Sequence, residues 1–128
     1  MGKGESILIV DDVEEQRVIA SEMLKKLGYK VFALPSGEAA IEYMQNHSAD
    51  ILVLDIIMAP GIDGLDTYER ILKFHPGQKA IIVSGFSEST RVKKLQRLGA
   101  GTYVKKPYLL ETLGKALKAE LDHRIPVA

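Results

Sequence analysis

Acidic, hydroxyl and ammonium side chains recur in this 128-residue chain at one kind of place, the point where a short apolar run stops. Ile7-Leu8-Ile9-Val10 runs into Asp11-Asp12, Ile51-Leu52-Val53-Leu54 into Asp55, Ala80-Ile81-Ile82-Val83 into Ser84, and Tyr103-Val104 into Lys105-Lys106. Carboxylates gathered at one spot repel, since two unit charges ~4 Å apart cost roughly 4 kcal/mol at an effective dielectric of about 20. They therefore need a cation. An oxygen-only donor set suits Mg²⁺, which keeps several waters and completes its shell with phosphate oxygens. No histidine or cysteine stands beside these positions to favour zinc. Ser84 can donate a hydrogen bond to a phosphoryl oxygen, and Lys106 can neutralise its charge as a compact cation. The chemistry this set can do is phosphoryl acceptance, with Asp55 as nucleophile and with positioning and charge neutralisation in place of a general base.

That chemistry requires the ends of the runs to meet, and the pattern between them says how. Residues 7–10, 30–34, 51–55, 80–83 and 101–104 read as strands, the central one apolar on both faces as in a fully covered sheet. Between them lie helical patterns. The first places Ile19, Met23, Leu24 and Leu27 on one face and stops at Gly28; the second carries Ala40, Ile41 and Met44, with Ser36 as candidate N-cap. The third turns Leu65, Tyr68, Ile71 and Leu72 inward and ends at His75-Pro76-Gly77. The fourth has a thin apolar face of Val92, Leu95 and Leu98 before Gly99, and the last, about 109–121, buries Leu110, Leu113 and Leu117. Five strands alternating with five helices predict an α/β, flavodoxin-like, doubly wound (βα)5 fold with a parallel sheet of order 2-1-3-4-5. All strands then end on one edge, where ligands bind near the topological switch, and Asp11, Asp12, Asp55, Ser84 and Lys106 share a cleft there.

Composition sets the bounds. The length suits one domain, 1–128 with a core of about 6–121, and leaves no room for a second. Seventeen acidic against seventeen basic residues leave no net field to attract nucleic acid or a membrane surface in general, so neither is expected as a direct partner. The absence of cysteine removes disulfides and thiolate chemistry and fits a cytoplasmic protein. The opening apolar run is too short for a signal or a membrane span.

The motifs, in order, resemble those of the receiver domain of bacterial two-component response regulators: Ile7-Leu8-Ile9-Val10-Asp11-Asp12, then Leu54-Asp55 through Pro60-Gly61-Ile62-Asp63-Gly64, then Ser84-Gly85, then residues 99–107 ending Lys105-Lys106-Pro107. The resemblance spans nearly the whole chain. It implies that Asp55 is phosphorylated by a histidine kinase or phosphotransfer protein. It further implies that Asp12 and Asp55 ligate Mg²⁺, with Asp11 acting through water and the backbone carbonyl of Ile57 completing the protein ligands. Ser84 and Lys106 take the hydroxyl and phosphate-binding lysine positions, and Tyr103 takes the aromatic switch position. On that account Ser84 moves toward the phosphoryl group and Tyr103 turns into the vacated space. This reshapes the face formed by the fourth helix, fifth strand and fifth helix, which binds a downstream protein or supports a phosphorylation-dependent homodimer.

Two features depart from the family pattern or tune it. Ala59 intervenes before Pro60, so the loop after Asp55 is one residue longer than usual. Ile57 and Phe86, both apolar, hold the positions that in the family modulate attack of water on the phosphoryl group, which implies slow hydrolysis. The longer loop and Ser84-Gly85-Phe86 resemble receivers attached to hybrid sensor kinases, so the chain reads as a stand-alone regulator or as a piece of a larger protein.

Each motif has a plainer reading. Asp55 alone could simply end a strand, Asp11-Asp12 could cap the first helix, Tyr103 could be a half-buried strand aromatic, and Lys105-Lys106 an exposed pair. Pro60, Gly61 and Gly64 most simply shape a loop, and the basic stretch Arg91, Lys93, Lys94 and Arg97 a solvated face. The alternative function is a pseudo-receiver that docks or dimerises without phosphorylation. A flavin- or nucleotide-binding enzyme lacks support, because no glycine-rich phosphate loop follows the first strand.

Overall fold

Branched apolar residues in runs of four or five favour strands, and where every position is buried the strand must be covered on both sides. The computed structural model describes residues 4–56, 64–84, 89–101, 103–105 and 110–122, with only the backbone of residues 89–91 and 110. Its strands are β1 (Ser6–Val10), β2 (Lys30–Leu34), β3 (Ile51–Asp55), β4 (Ala80–Ser84) and β5 (Tyr103–Lys105). The helices between and after them are α1 (Glu14–Lys26), α2 (Gly37–Asn46), α3 (Gly64–Phe74), α4 (Ser89–Arg97) and α5 (Leu110–Asp122). The strands form one parallel sheet in the order β2-β1-β3-β4-β5, the order expected from the sequence.

Alternation along each strand divides the core in two. Leu8, Val10, Leu52, Leu54, Ala80 and Ile82 face Ala40 and Met44 of α2, Tyr68 and Ile71 of α3, and Leu95 of α4. Ile7, Ile9, Ile51, Val53, Ile81, Val83 and Val104 pack with Ala20 and Leu24 of α1 and Leu113 and Leu117 of α5. β3 and β4 are buried at all five positions, so the backbone that carries Asp55 and Ser84 is held from both faces.

Two expected core positions are corrected. Ile19 is 53% exposed, because α1 buries a narrow stripe through Ala20 and Leu24 with Leu27 packed against it, and the residue one step away turns about 100° off that stripe. Leu98 is 40% exposed because α4 ends at Arg97, which leaves Leu95 fully buried and Val92 partly buried as its described anchors. The face is thinner still than the sequence suggests.

Helix ends follow the expected chemistry. Gly28 (φ 95°) and Gly99 (φ 116°) take the left-handed conformation just beyond α1 and α4. Ser36 is the N-cap of α2, its hydroxyl accepting a bond from the Ala39 N–H at 3.1 Å. Ser36→Ala should lower unfolding free energy by about 1 kcal/mol in a denaturant titration, with no change in the site at the far edge of the switch.

Tyr68 heads the largest fully buried side chains, and its hydroxyl donates to the Gln78 carbonyl oxygen at 2.5 Å. Burial, with a smaller contribution from the Glu120 charge, pushes its pKa up to about 12. The folded state therefore holds the phenol proton more tightly than the unfolded chain, so stability is full below pH 10 and falls as pH rises toward 12. Tyr29 is raised for the same leading reason, burial, so Tyr68→Phe should remove part of this alkaline loss, on the order of 2 kcal/mol. Unfolding curves between pH 9 and about 11.5 would show it.

Among the described residues, no helix is long and apolar enough to cross a membrane.

Candidate functional site

β1 and β3 are neighbours in register, Val10 opposite Leu54, so the residues that follow them meet at the carboxyl edge of the sheet. Asp55 closes β3 with 6% of its surface exposed, and Asp11 follows β1 at 3%. Asp12 is half-buried beside them. Carboxylate oxygens of Asp11, Asp12 and Asp55 all lie within 4.8 Å of one another. At that separation each charged pair costs about 3 to 4 kcal/mol at an effective dielectric near 20, so the cluster could hold a cation by its charge as well as by its donors. The donors are hard oxygens throughout, with no imidazole among them, which fits Mg²⁺ and not zinc.

Capping does not explain the pair after β1. Val13, not either aspartate, is the N-cap of α1, and its own side chain makes no cap bond. Asp11 instead bends the chain locally, one carboxylate oxygen accepting from the Val13 N–H at 2.9 Å while its own N–H reaches the Leu34 carbonyl of β2 at 3.2 Å. Arg17 of α1 donates to the Asp11 carbonyl oxygen at 2.9 Å and so fixes the turn that presents Asp11 and Asp12. The backbone beyond Asp55 is fixed in the same way, the Ile56 N–H donating to the Val83 carbonyl oxygen at 3.1 Å.

Ser84 ends β4, the strand next to β3, and is 1% exposed. It pairs in register with Lys105 of β5, which is exposed. Tyr103 is half-buried, packs toward the α4 side of the sheet, and its hydroxyl faces the Ser84 carbonyl oxygen at 3.4 Å. The structure thus brings together Asp11, Asp12 and Asp55, with Ser84 on the adjoining strand and Tyr103 behind it. Lys106, Ile57 and Phe86 lie outside the described residues, as do Pro60 and Gly61.

Two residues belong to the site that the sequence reading did not assign to it. Arg17 is one; an arginine in the second turn of α1 gave no signal of its own. Gly64 is the other, read from sequence as loop-shaping. It is buried at the start of α3, its N–H donates to the Ile56 carbonyl oxygen at 2.7 Å, and a Cβ there would meet the Asp55 carbonyl oxygen and lie 2.8 Å from the Ile56 Cα. Asp63-Gly64 before an amphipathic run was the only hint available.

Comparison with known proteins accords with this arrangement. Residues 7–118 match the family model described as response regulator receiver domain. Sporulation initiation phosphotransferase F of Bacillus subtilis is 30% identical over 117 residues, covering 91% of this chain and 94% of its own. Chemotaxis protein CheY of Thermotoga maritima is 31% identical over 120 residues, covering 90% and 99% respectively. Among solved structures, response regulator protein TrrA of Thermotoga maritima, determined in complex with Mg²⁺-BeF, superposes with a TM-score of 0.79 at 30% identity, covering 90% of this chain and 97% of that one.

Proposed function

The chain belongs to the response regulator receiver domain family, and from that premise we propose that its switch runs through Asp55, phosphorylated from a phosphohistidine on a histidine kinase or phosphotransfer protein. The observation that carries this reading is the carboxylate trio of buried Asp11 and Asp55 and half-buried Asp12, gathered where β1 and the fully buried β3 end. A carboxylate oxygen of Asp55 attacks phosphorus; the new O–P bond forms as the N–P bond breaks, and the electron pair returns to the imidazole ring. Because the phosphoryl group transfers with little covalent help, alignment of this oxygen by β3 is the chief contribution of the chain.

Asp12 and Asp55, with Asp11 and the Ile57 carbonyl, would hold Mg²⁺, which when bound offsets the carboxylate charge and that of the incoming phosphoryl oxygens. Ser84 donates to one of those oxygens and Lys106 neutralises another. Drawing Ser84 toward the phosphoryl group changes the space beside its carbonyl, where the Tyr103 hydroxyl sits, and so passes the event to the face of α4, β5 and α5. α4 suits this role because its described burial rests on Leu95 and part of Val92. In this reading residues 1–128 act as one receiver unit in the cytoplasm.

Incubation with a small acyl phosphate tests the proposal directly: one phosphoryl group per chain should be gained in the presence of Mg²⁺ and none in the presence of a chelator. No uptake, or uptake indifferent to metal, would defeat it. Apolar Ile57 and Phe86 further predict slow loss of the phosphoryl group, since neither side chain orients or admits water. Ile57→Asn should shorten its lifetime several-fold in a chase without phosphatase; an unchanged lifetime would remove these residues from the account.

A further inference from the structure

The sheet has two edges, β2 and β5, and they are built differently. β5 is three residues long and ends on the exposed Lys105, features that discourage further pairing. β2 is five residues long and pairs with β1 in unbroken register, without a bulge, and its only charge is Lys30 at its start. Phe32 at its middle is 56% exposed, the most exposed large apolar side chain among the described residues. Its ring lies 5.8 Å from that of Tyr43 on α2, and Tyr43 stacks on His47 at 4.4 Å, so an aromatic row borders the open edge.

The backbone of that edge is directed as well. The Lys30 N–H donates to the Glu5 carbonyl oxygen and the Leu34 carbonyl oxygen accepts from the Asp11 N–H, so Lys30, Phe32 and Leu34 turn their main-chain groups toward β1. By alternation Val31 and Ala33 turn theirs outward. Charge follows the strand too. At the carboxyl end of β2, α1 opens with Glu14 and Glu15 and α2 with Glu38; at its amino end, α1 closes with Lys25 and Lys26 just before Lys30.

We infer that β2 pairs antiparallel with β2 of a second copy, about a two-fold axis through Phe32, and so joins two sheets into one. In that register Val31 of each copy faces Ala33 of the other, and their outward N–H and C=O groups exchange both bonds. Phe32 faces Phe32 as the closer, non-hydrogen-bonded pair, with Cα atoms about 4.5 Å apart, and aromatic pairs across strands stabilise a sheet. The acidic end of one copy meets the basic end of the other, Glu38 beside Lys30, at both ends of the contact. A strand from another protein would satisfy the backbone alone, whereas a second copy also matches the aromatic centre and both charged ends. The carboxyl edges of the two sheets then point in opposite directions and leave both acidic clusters open, so the inference stands apart from the phosphoryl reading.

Sedimentation of the full chain from about 1 μM to about 1 mM tests it, with amide hydrogen exchange at both limits. The mass should rise toward that of a dimer. The Val31 and Ala33 amides should exchange at least about tenfold more slowly at the high concentration, while that of Phe32, already bonded to β1, should not change. Phe32→Lys and Ala33→Pro should each weaken association at least about tenfold, the first by setting two ammonium groups together, the second by removing an N–H that β1 does not use. Lys30→Glu and Glu38→Lys should each weaken it roughly three- to tenfold, and the double variant should return to within about twofold of the parent. Within one copy these two exposed residues are separated by the length of β2, roughly 13 Å, so no contact inside the chain accounts for the rescue. Being on the surface, the charge pair also keeps the test independent of any loss of folding in Ala33→Pro. The inference falls if the chain stays monomeric at about 1 mM, if the dimer persists undiminished in Phe32→Lys, if the double charge variant is not rescued, or if the Val31 and Ala33 amides gain no protection.

Discussion

Asp55→Asn should abolish Mg²⁺-dependent phosphate uptake, a fall of at least about a hundredfold, while leaving the folded chain as stable as the parent or more so. Asparagine matches aspartate in size and can fill the same buried place at the end of β3, so packing with Val83 and Ile56 has no reason to change. What it cannot do is attack phosphorus as an anion. The same change removes one of three carboxylates lying within 4.8 Å of one another, and with it two repulsive pairs. Without metal the variant should therefore unfold at higher denaturant, by on the order of 1 to 3 kcal/mol after solvent screening.

Metal reverses the order. Whatever binds the native state alone stabilises it by mass action, so Mg²⁺ should raise the melting temperature of the parent well above its chelated value and that of Asp55→Asn much less. An aspartate that merely ended a strand would give neither the gain without metal nor the loss of metal response. Uptake that survives in Asp55→Asn would move the acceptor elsewhere. A parent that binds Mg²⁺ and refuses phosphate would leave the fold serving as a docking module only.

The parts of this site that could be read from sequence are those where residue type and strand end coincide. Ile51-Leu52-Val53-Leu54 suits a strand covered on both sides, and the charge that ends it gains meaning from the other strand ends that share its edge. Asp11 and Asp12 join it because order 2-1-3-4-5 makes β1 its neighbour. α1 was harder: Ile19 and Ala20 are adjacent, and hydrophobicity alone favours burying the larger one, yet the facing helix α5 leaves room for the smaller, with Ala20 and Leu24 against Leu113 and Leu117. The backbone contacts around the acidic cluster were not legible. The guanidinium of Arg17 on the Asp11 carbonyl and the approach of Gly64 to the chain beyond Asp55 depend on three-dimensional closeness that no periodicity encodes.

Gly64 also supports the second large effect. Gly64→Ala should destabilise the chain by about 1 to 3 kcal/mol and lower the rate of phosphate uptake of the molecules that remain folded. Alanine favours a helix start over glycine by intrinsic propensity, so the loss would come from the clash alone. The added methyl group would press on the backbone carbonyl of Asp55 and on the Ile56 Cα, 2.8 Å away, and backbone paired to β4 on its other side cannot swing aside. Gly101 provides the contrast. A Cβ there meets the Glu120 carboxylate, the far end of a flexible side chain that can rotate into solvent, so Gly101→Ala should cost well under about 1 kcal/mol and leave uptake unchanged. Denaturant unfolding of the two variants, with initial rates of acyl phosphate labelling corrected for folded fraction, separates the cases. If Gly64→Ala matched Gly101→Ala in both measurements, the position of Asp55 would not depend on the glycine behind it, and rigid alignment of the acceptor oxygen would lose its structural basis.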